Sequence, residues 1–283
     1  MAPRFIDIHP HIISDDTARY PHNPLFGVQS GWSKDRPVTI EGLIAAMDEA
    51  GVDKAAIVQS STCYGYDNSY LVDCIKRYPG RFTAVGSVDV LQPDAPAKVR
   101  HWVERGVNGL RLFTGGSTHA FDPSSLDDPR SFPTWELCGE LGLSMCIQTD
   151  PTGLAQAAGL AKRFPKVRIV LDHLGRPDVT DGAPYKKASS LFGVAPFENI
   201  YLKLTPRIFG DVRKGSASPE TFFPRLVEAF SAQRLVWGSN FPASEGRLEA
   251  NLGVAKQCLA SLPAEDQSWI FAKTAQRLYP ALA

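Results

Sequence analysis

The sequence of 283 residues has little of three things: paired cysteines, long hydrophobic runs and excess charge of either sign. Its five cysteines are odd in number and show no CxxC spacing, which argues against a disulfide framework and a zinc ribbon. Lys+Arg and Asp+Glu are both 30, so no nucleic-acid-binding surface is predicted. No segment approaches the roughly 18 apolar residues of a membrane span, and the first residues lack an apolar signal segment. We therefore expect a cytoplasmic protein that binds neither nucleic acid nor membranes.

Short apolar segments recur along the whole chain, and each is followed by a helical pattern. There are eight of them: residues 5–8, 55–59, 83–87, 109–113, 144–148, 168–171, 200–204 and 235–237. Several are apolar at consecutive positions, which is typical of parallel strands covered on both faces. Eight such repeats predict an α/β fold, a distorted (β/α)8 TIM barrel forming a single domain over residues 1–283. The alternative, a doubly wound open sheet, is disfavoured because no glycine-rich phosphate loop follows the first strand.

Polar side chains cluster where the predicted strands end. His9 and His11 follow the first strand, His173 follows the sixth and Asn240 follows the eighth. Residues two apart on a strand share a face, and the carboxyl ends of barrel strands meet at one mouth. The four side chains are therefore predicted to converge. Imidazoles in such a position suit either metal binding or polarisation of a carbonyl group.

Two arginines occupy similar positions. Arg111 lies within the fourth strand and Arg207 follows the seventh. Because a guanidinium holds a carboxylate through two parallel hydrogen bonds, the pair favours a small anionic substrate. The alternative for Arg111 is an internal ion pair with an acid such as Asp7, Asp89 or Asp172.

Further candidate contacts follow the second and fifth strands. Ser61, Tyr64 and Gln148 are predicted to touch the substrate. Cys63 would be a nucleophile only if a base such as His11 lay beside it. Cys74, Cys138 and Cys146 are interpreted as small buried apolar side chains.

Six motifs, in order along the chain, carry a family resemblance. They are DIHPH, VQSSTCYGYDN, GVNGLRLF, LDHLGRPDV, YLKLTPR and VWGSNFP, and the resemblance extends from about Phe5 to Tyr279. Together they resemble the amidohydrolase superfamily, specifically the branch around 2-pyrone-4,6-dicarboxylate lactonase. The resemblance implies a hydrolase that opens a small carboxylated lactone from the breakdown of aromatic compounds.

The resemblance also implies roles for individual residues. In this branch, histidines polarise the lactone carbonyl, arginines hold carboxylates and an aspartate after strand eight activates water, all without a metal. Position by position, His9, His11 and His173 match the polarising set. Arg111 and Arg207 match the carboxylate-binding arginines. No cofactor is implied.

The sequence departs from the superfamily pattern at two strand ends. Strand five ends at Gln148 instead of a histidine, so a metal would lose a usual ligand and we expect none. Asn240 replaces the strand-eight aspartate, and an amide cannot accept a proton from water near neutral pH. Asn240 is either an engineered substitution, or natural with Asp150, His11 or His173 acting as the base, or the mark of a barrel that binds without hydrolysing.

Alternative functions therefore stay open at this point. One is a metal-dependent hydrolase or decarboxylase in which His9, His11 and His173 bind zinc or manganese. Another is a non-catalytic ligand-binding barrel. The last predicted helix, residues 264–278, has an apolar stripe that suits packing either on the barrel or on a second copy in a homo-oligomer.

Overall fold

A computed structural model describes residues 5–283, in which eight parallel strands form one sheet in sequence order. The predicted lack of a signal segment falls partly on residues 1–4, which lie outside the described residues. The strands are β1 Ile6–Asp7, β2 Lys54–Val58, β3 Phe82–Gly86, β4 Val107–Phe113, β5 Ser144–Gln148, β6 Arg168–Leu171, β7 Ile200–Leu204 and β8 Leu235–Trp237. The predicted (β/α)8 barrel is confirmed, and every predicted strand is present within a few residues of its expected bounds.

The first and last strands close the barrel through few contacts. The backbone N–H of Ile8, just past β1, donates to the carbonyl oxygen of Trp237 in β8 over 3.4 Å. Gly238 follows β8, and a Cβ atom built there would lie only 2.7 Å from the Cβ atom of His9. Only glycine permits this close approach, which brings the ends of β1 and β8 together.

Helices fill the connections between strands. They are α1 Gly31–Asp35, α2 Ile40–Ala50, α3 Ser61–Tyr64, α4 Ser69–Arg77, α5 Ala95–Val103, α6 Phe132–Leu141, α7 Leu154–Arg163, α8 Ser189–Gly193, α9 Pro206–Asp211, α10 Pro219–Phe230, α11 Leu248–Cys258, α12 Ala264–Ser268 and α13 Thr274–Leu278. Short 3-10 turns, Pro151–Gly153 and Lys186–Ala188, directly precede α7 and α8. The predicted closing helix is interrupted by a π-helical segment, Trp269–Lys273.

The C-terminal helical region packs on the barrel itself. The rings of Phe271 and Trp237 lie 6.2 Å apart, and Leu278 and Tyr279 are fully buried against the barrel interior. The apolar stripe of this region is thus covered within the chain. The five cysteines are all free and buried, which confirms the interpretation of Cys74, Cys138 and Cys146 as small buried side chains. Across residues 5–283 we find no helix with both the length and the apolar character of a membrane span.

Candidate active site

A cavity of about 250 Å³ opens at the carboxyl ends of the strands. Parallel barrel strands direct their following loops to this face, so residues distant in sequence meet there. The predicted site residues that line it are His11, Ser61, Arg111, Gln148, His173 and Asn240. The convergence expected from the strand-end positions is present in the structure.

His9 lies beneath the cavity, where its side chain is fully buried. Its ring centroid is 5.0 Å from that of His11, with the rings nearly perpendicular, and 5.1 Å from that of His173. Its Nδ1 atom is 3.6 Å from a carboxylate oxygen of Asp172. His9 therefore contacts both cavity-lining histidines from below and is absent from the cavity wall.

The protonation state of His11 follows from one hydrogen bond. Its Nδ1 atom lies 2.8 Å from the carbonyl oxygen of Val58. A carbonyl oxygen only accepts, so Nδ1 carries the proton and Nε2 presents a lone pair. Burial, and next the positive charge of Arg111, lower the pKa of His11 to about 3. The ring is therefore neutral near pH 7, and its free nitrogen is an acceptor.

His173 sits in a tight left-handed turn at the end of β6. Its φ is 55°, and Leu174, Gly175 and Arg176 also have positive φ values. The Nδ1 atom of His173 is 2.7 Å from the hydroxyl oxygen of Thr205. Burial lowers the pKa of His173 well below its ordinary value, so this imidazole is also neutral. The turn brings both His173 and Arg176 to the cavity wall.

A buried ionic network lies beside the histidines. Asp172 accepts from Arg111 Nε over 2.8 Å, and Lys203 Nζ lies 2.7 Å from its other oxygen. Burial alone would raise the pKa of Asp172, but the Lys203 and Arg111 cations outweigh it and hold that pKa well below its usual range. The internal pairing of Arg111, left open by the sequence, is therefore present. Arg111 also donates to Gln148 Oε1 and still lines the cavity.

Arg176 is a cavity residue that the sequence analysis missed. Its Nε atom is buried without a hydrogen-bond partner among the described residues. Burial, and next the charges of Arg207 and Arg111, lower the pKa of Arg176 to about 10, so it remains a cation. Its position in the LDHLGRP motif, three residues after His173, was the available signal. From sequence alone, an arginine that lines a cavity shortly after a strand cannot be distinguished from one on the surface.

Two predicted substrate contacts lie outside the cavity wall. The Arg207 side chain is 53% exposed, with its Nε 3.6 Å from a carboxylate oxygen of Asp211, one turn along α9. It lines an adjacent surface depression that also includes His173, Arg176 and Asn240. Pro206 begins α9 directly after β7 and turns Arg207 away from the barrel axis. Tyr64 is buried, and its hydroxyl oxygen accepts from the Ser14 backbone N–H over 2.8 Å.

Two alternative catalytic groups from the sequence are also placed elsewhere. Burial raises the pKa of the Cys63 thiol to about 12, so it stays protonated near pH 7 and is a weak nucleophile. Asp150 accepts from the backbone N–H of Thr152 over 3.0 Å and starts the turn before α7. Neither residue lines the cavity.

Asn240 lines the cavity with an amide side chain. Its Nδ2 donates to the Ser244 hydroxyl oxygen over 2.9 Å, within the loop after β8. Its φ of 52° lies in the left-handed region, which asparagine tolerates better than most residues. The amide orients the loop and contacts the cavity, and it has no basic atom that would take a proton.

The site offers a divalent metal fewer carboxylate and imidazole ligands than the superfamily pattern, because two strand ends carry amides. The Asp172 carboxylate is engaged by the cations of Arg111 and Lys203, whereas the Nδ1 bond of His11 to Val58 leaves the Nε2 of His11 free. Strands β5 and β8 supply the amides Gln148 and Asn240 where carboxylate or imidazole ligands would be needed. Within residues 5–283, no group of three or more His, Cys, Asp and Glu side chains has a metal-binding arrangement.

Comparison with known proteins decides the family. The family model described as Amidohydrolase matches residues 6–281, almost the whole chain. The chain belongs to the amidohydrolase family. The resemblance inferred from the six sequence motifs is confirmed.

Two curated relatives of this amidohydrolase act on lactones, by their names. It is 27% identical to the L-fucono-1,5-lactonase of Burkholderia ambifaria, over 77% of this chain and 72% of that protein. It is 27% identical to the 2-pyrone-4,6-dicarboxylate hydrolase of Comamonas testosteroni, over 71% of this chain and 66% of that protein. A probable 2-pyrone-4,6-dicarboxylic acid hydrolase from Acinetobacter baumannii, solved with citric acid bound, superposes with a TM-score of 0.76. That likeness, at 20% identity over 98% of this chain and 99% of that one, shows the fold alone.

Proposed function

We propose that this amidohydrolase hydrolyses the cyclic ester of a small lactone that carries a carboxylate. The observation that carries the proposal is the pairing of neutral imidazoles with guanidinium cations in one cavity. His11 and His173 lie there beside Arg111 and Arg176, and the described lining contains no Asp or Glu. Such a lining favours an anionic, acceptor-rich substrate whose carbonyl is attacked by water. Small carboxylated lactones of this kind arise in the breakdown of aromatic compounds.

Substrate binding rests on the positive charge of the site. Arg111 and Lys203 pair with the Asp172 carboxylate, and the described cavity lining holds Arg111 and Arg176 but no acidic side chain. Arg176 has an unpartnered Nε and offers the planar fork that a carboxylate needs. Ser61 has a buried hydroxyl that finds no hydrogen-bond partner within residues 5–283, and it adds a donor to the wall. Gln148 fixes the Arg111 guanidinium.

We assign polarisation of the lactone carbonyl to His173. When Nδ1 accepts from the Thr205 hydroxyl, Nε2 carries the proton and donates to the lactone carbonyl oxygen. A neutral imidazole donor suits this role because the oxyanion appears only in the transition state. His9, packed against both rings from below, keeps their spacing.

We assign activation of water to His11, because Asn240 has no basic atom. The Nε2 lone pair takes one proton from water while the oxygen adds to the carbonyl carbon. The ring C–O bond then breaks, and the proton passes from His11 to the leaving alkoxide, which gives the open hydroxy acid. Burial is the largest cause of the low pKa of His11, and the bound carboxylate and developing oxyanion offset the further lowering by the Arg111 and Lys203 charges.

Two lactones that differ in charge test the proposal. Purified protein, with and without chelator, is given 2-pyrone-4,6-dicarboxylate and, as a neutral comparison, L-fucono-1,5-lactone. We expect ring opening of the dicarboxylate, unaffected by chelator, with kcat/KM at least about tenfold above that of the neutral lactone. Preference for the neutral lactone would contradict the anionic substrate class. Activity that chelator abolishes would contradict the metal-free site.

A further inference from the structure

The short helix α1, Gly31–Asp35, spans the gap between two other loops of the barrel mouth. It belongs to the long segment between β1 and α2. Its indole, Trp32, lines the cavity together with residues from the loops after β2 and β8. The two ends of α1 are each tied to one of these loops, so the helix forms part of the cavity wall.

The N-terminal end of α1 is tied to the loop after β2. The Thr62 hydroxyl donates to the Ser30 hydroxyl oxygen over 2.9 Å, and the Ser30 backbone N–H donates to the Thr62 carbonyl oxygen over 3.3 Å. Ser33, within α1, bonds to the same Ser30. All three residues are buried, so water competes little for these hydrogen bonds.

The C-terminal end of α1 is tied to the loop after β8. Arg36 caps the helix with its backbone N–H on the Trp32 carbonyl oxygen. Its guanidinium donates to the carbonyl oxygens of Pro242 and Ala243 over 3.3 and 3.2 Å. Asn240, two residues before Pro242, belongs to the same loop. Arg36 thus joins the segment that carries Trp32 to the segment that carries Asn240.

Trp32 holds His11 from the side that Val58 and His9 leave open. The indole stacks on the imidazole with ring centroids 5.2 Å apart and an interplanar angle of 29°. His9 meets the same imidazole edge-on, and Val58 fixes Nδ1. Three contacts therefore define the ring plane and leave Nε2 as its free polar atom.

We infer that Trp32 is a positioning residue for His11, and that Arg36 holds Trp32 in place by joining α1 to the loop after β8. The inference rests on the proposed function, in which His11 accepts a proton from water. A ring whose plane rotates presents its lone pair to water less often, which lowers the rate of the chemical step more than substrate binding.

Kinetics of Trp32 variants test the catalytic part, with 2-pyrone-4,6-dicarboxylate as the probe. Trp32→Ala is expected to lower kcat about tenfold or more while KM changes less than about threefold. Trp32→Phe, which keeps an aromatic face, is expected to recover most of the loss. If the substitutions only reduced the amount of folded protein, the activity of both variants would fall and Trp32→Phe would show no recovery. An unchanged kcat in Trp32→Ala, with wild-type activity present, would overturn the inference.

Acrylamide quenching tests the Arg36 contact without using activity. The Trp32 contribution is isolated by subtracting the fluorescence of a matched Trp32→Phe background. Arg36→Gln is expected to raise quenching of Trp32 about twofold, because loosening one end exposes the indole. Arg247→Gln is the control: Arg247 pairs with Glu49 on the exposed surface near the same loop. Equal quenching in Arg36→Gln and the control would overturn the role of Arg36. Absence of lactone turnover in the wild type, with the expected quenching, would instead count against the proposed function.

Discussion

His11 and Val58, 47 residues apart in sequence, are joined by a 2.8 Å hydrogen bond between the imidazole Nδ1 and the carbonyl oxygen. The bond joins the segment after β1 to the last residue of β2, and it fixes which nitrogen holds the proton. The remaining nitrogen faces the site as an acceptor. The family resemblance assigned His11 to carbonyl polarisation. Because of this contact, we instead assign His11 as the candidate base.

The buried neutral state of His11 predicts a pH dependence of stability. Its pKa is about 3 in the folded protein, against an ordinary value near 6.5. The stability that this depressed pKa contributes is present above pH about 6.5 and is lost as the pH falls toward 3, because only the unfolded chain binds the proton there. The free energy of unfolding should thus fall by up to about 1.4 kcal/mol per pH unit from this group.

Urea unfolding at a series of pH values checks this prediction. His11→Asn removes the titrating group, so its free energy of unfolding should depend less steeply on pH between about 4 and 6.5. His101, which is exposed, supplies the control variant His101→Asn. Equal slopes for wild type and His11→Asn would show that His11 is not buried as a neutral ring.

The pH profile of catalysis should lack the inflection of an ordinary histidine. Because kcat/KM reports the free enzyme, a base with a pKa of about 3 should give a flat profile from pH 5 to 8. The check is kcat/KM for 2-pyrone-4,6-dicarboxylate across that range in constant ionic strength. A sigmoidal rise centred near pH 6.5 would mean that the essential base titrates normally.

Arg176 should contribute to substrate binding more than Arg207. Arg176→Gln removes the cavity cation and is expected to raise KM for the dicarboxylate by about 10- to 100-fold, with a smaller effect on kcat. Arg207→Gln is the matched control, since that side chain is 53% exposed and paired with Asp211. We expect its KM to change less than about threefold. A larger increase in KM for Arg207→Gln than for Arg176→Gln would indicate that the substrate carboxylate binds in the adjacent surface depression.

Asp172 should be important for stability, because it is the partner of two buried cations. Asp172→Asn leaves Lys203 and Arg111 without their counter-charge and is expected to cost about 3–5 kcal/mol of unfolding free energy. Asp94→Asn, at a surface pair with Lys98, should cost less than about 1 kcal/mol. Thermal and urea unfolding of both variants measure the difference. Similar losses would show that the buried network is dispensable.

The fold and much of the site were predictable because they depend on periodic patterns. Eight apolar segments alternating with helices define the barrel, and strand-end positions place His11, His173 and Asn240 at one mouth. Local backbone geometry decided what the sequence did not. The left-handed turn at residues 173–176 brings Arg176 inward, and the helix starting at Pro206 turns Arg207 outward. Trp32 lies in a segment without periodicity, so no pattern predicted its place beside His11.

The most direct test of the account asks which residue takes the proton from water. Hydrolysis of 2-pyrone-4,6-dicarboxylate is measured for the wild type, His11→Asn and Asn240→Asp in the presence of chelator. The account predicts an active wild type, a loss of about 10²- to 10⁴-fold in kcat for His11→Asn, and little gain for Asn240→Asp. An inactive wild type with an active Asn240→Asp variant would contradict it, because the base would then belong at position 240.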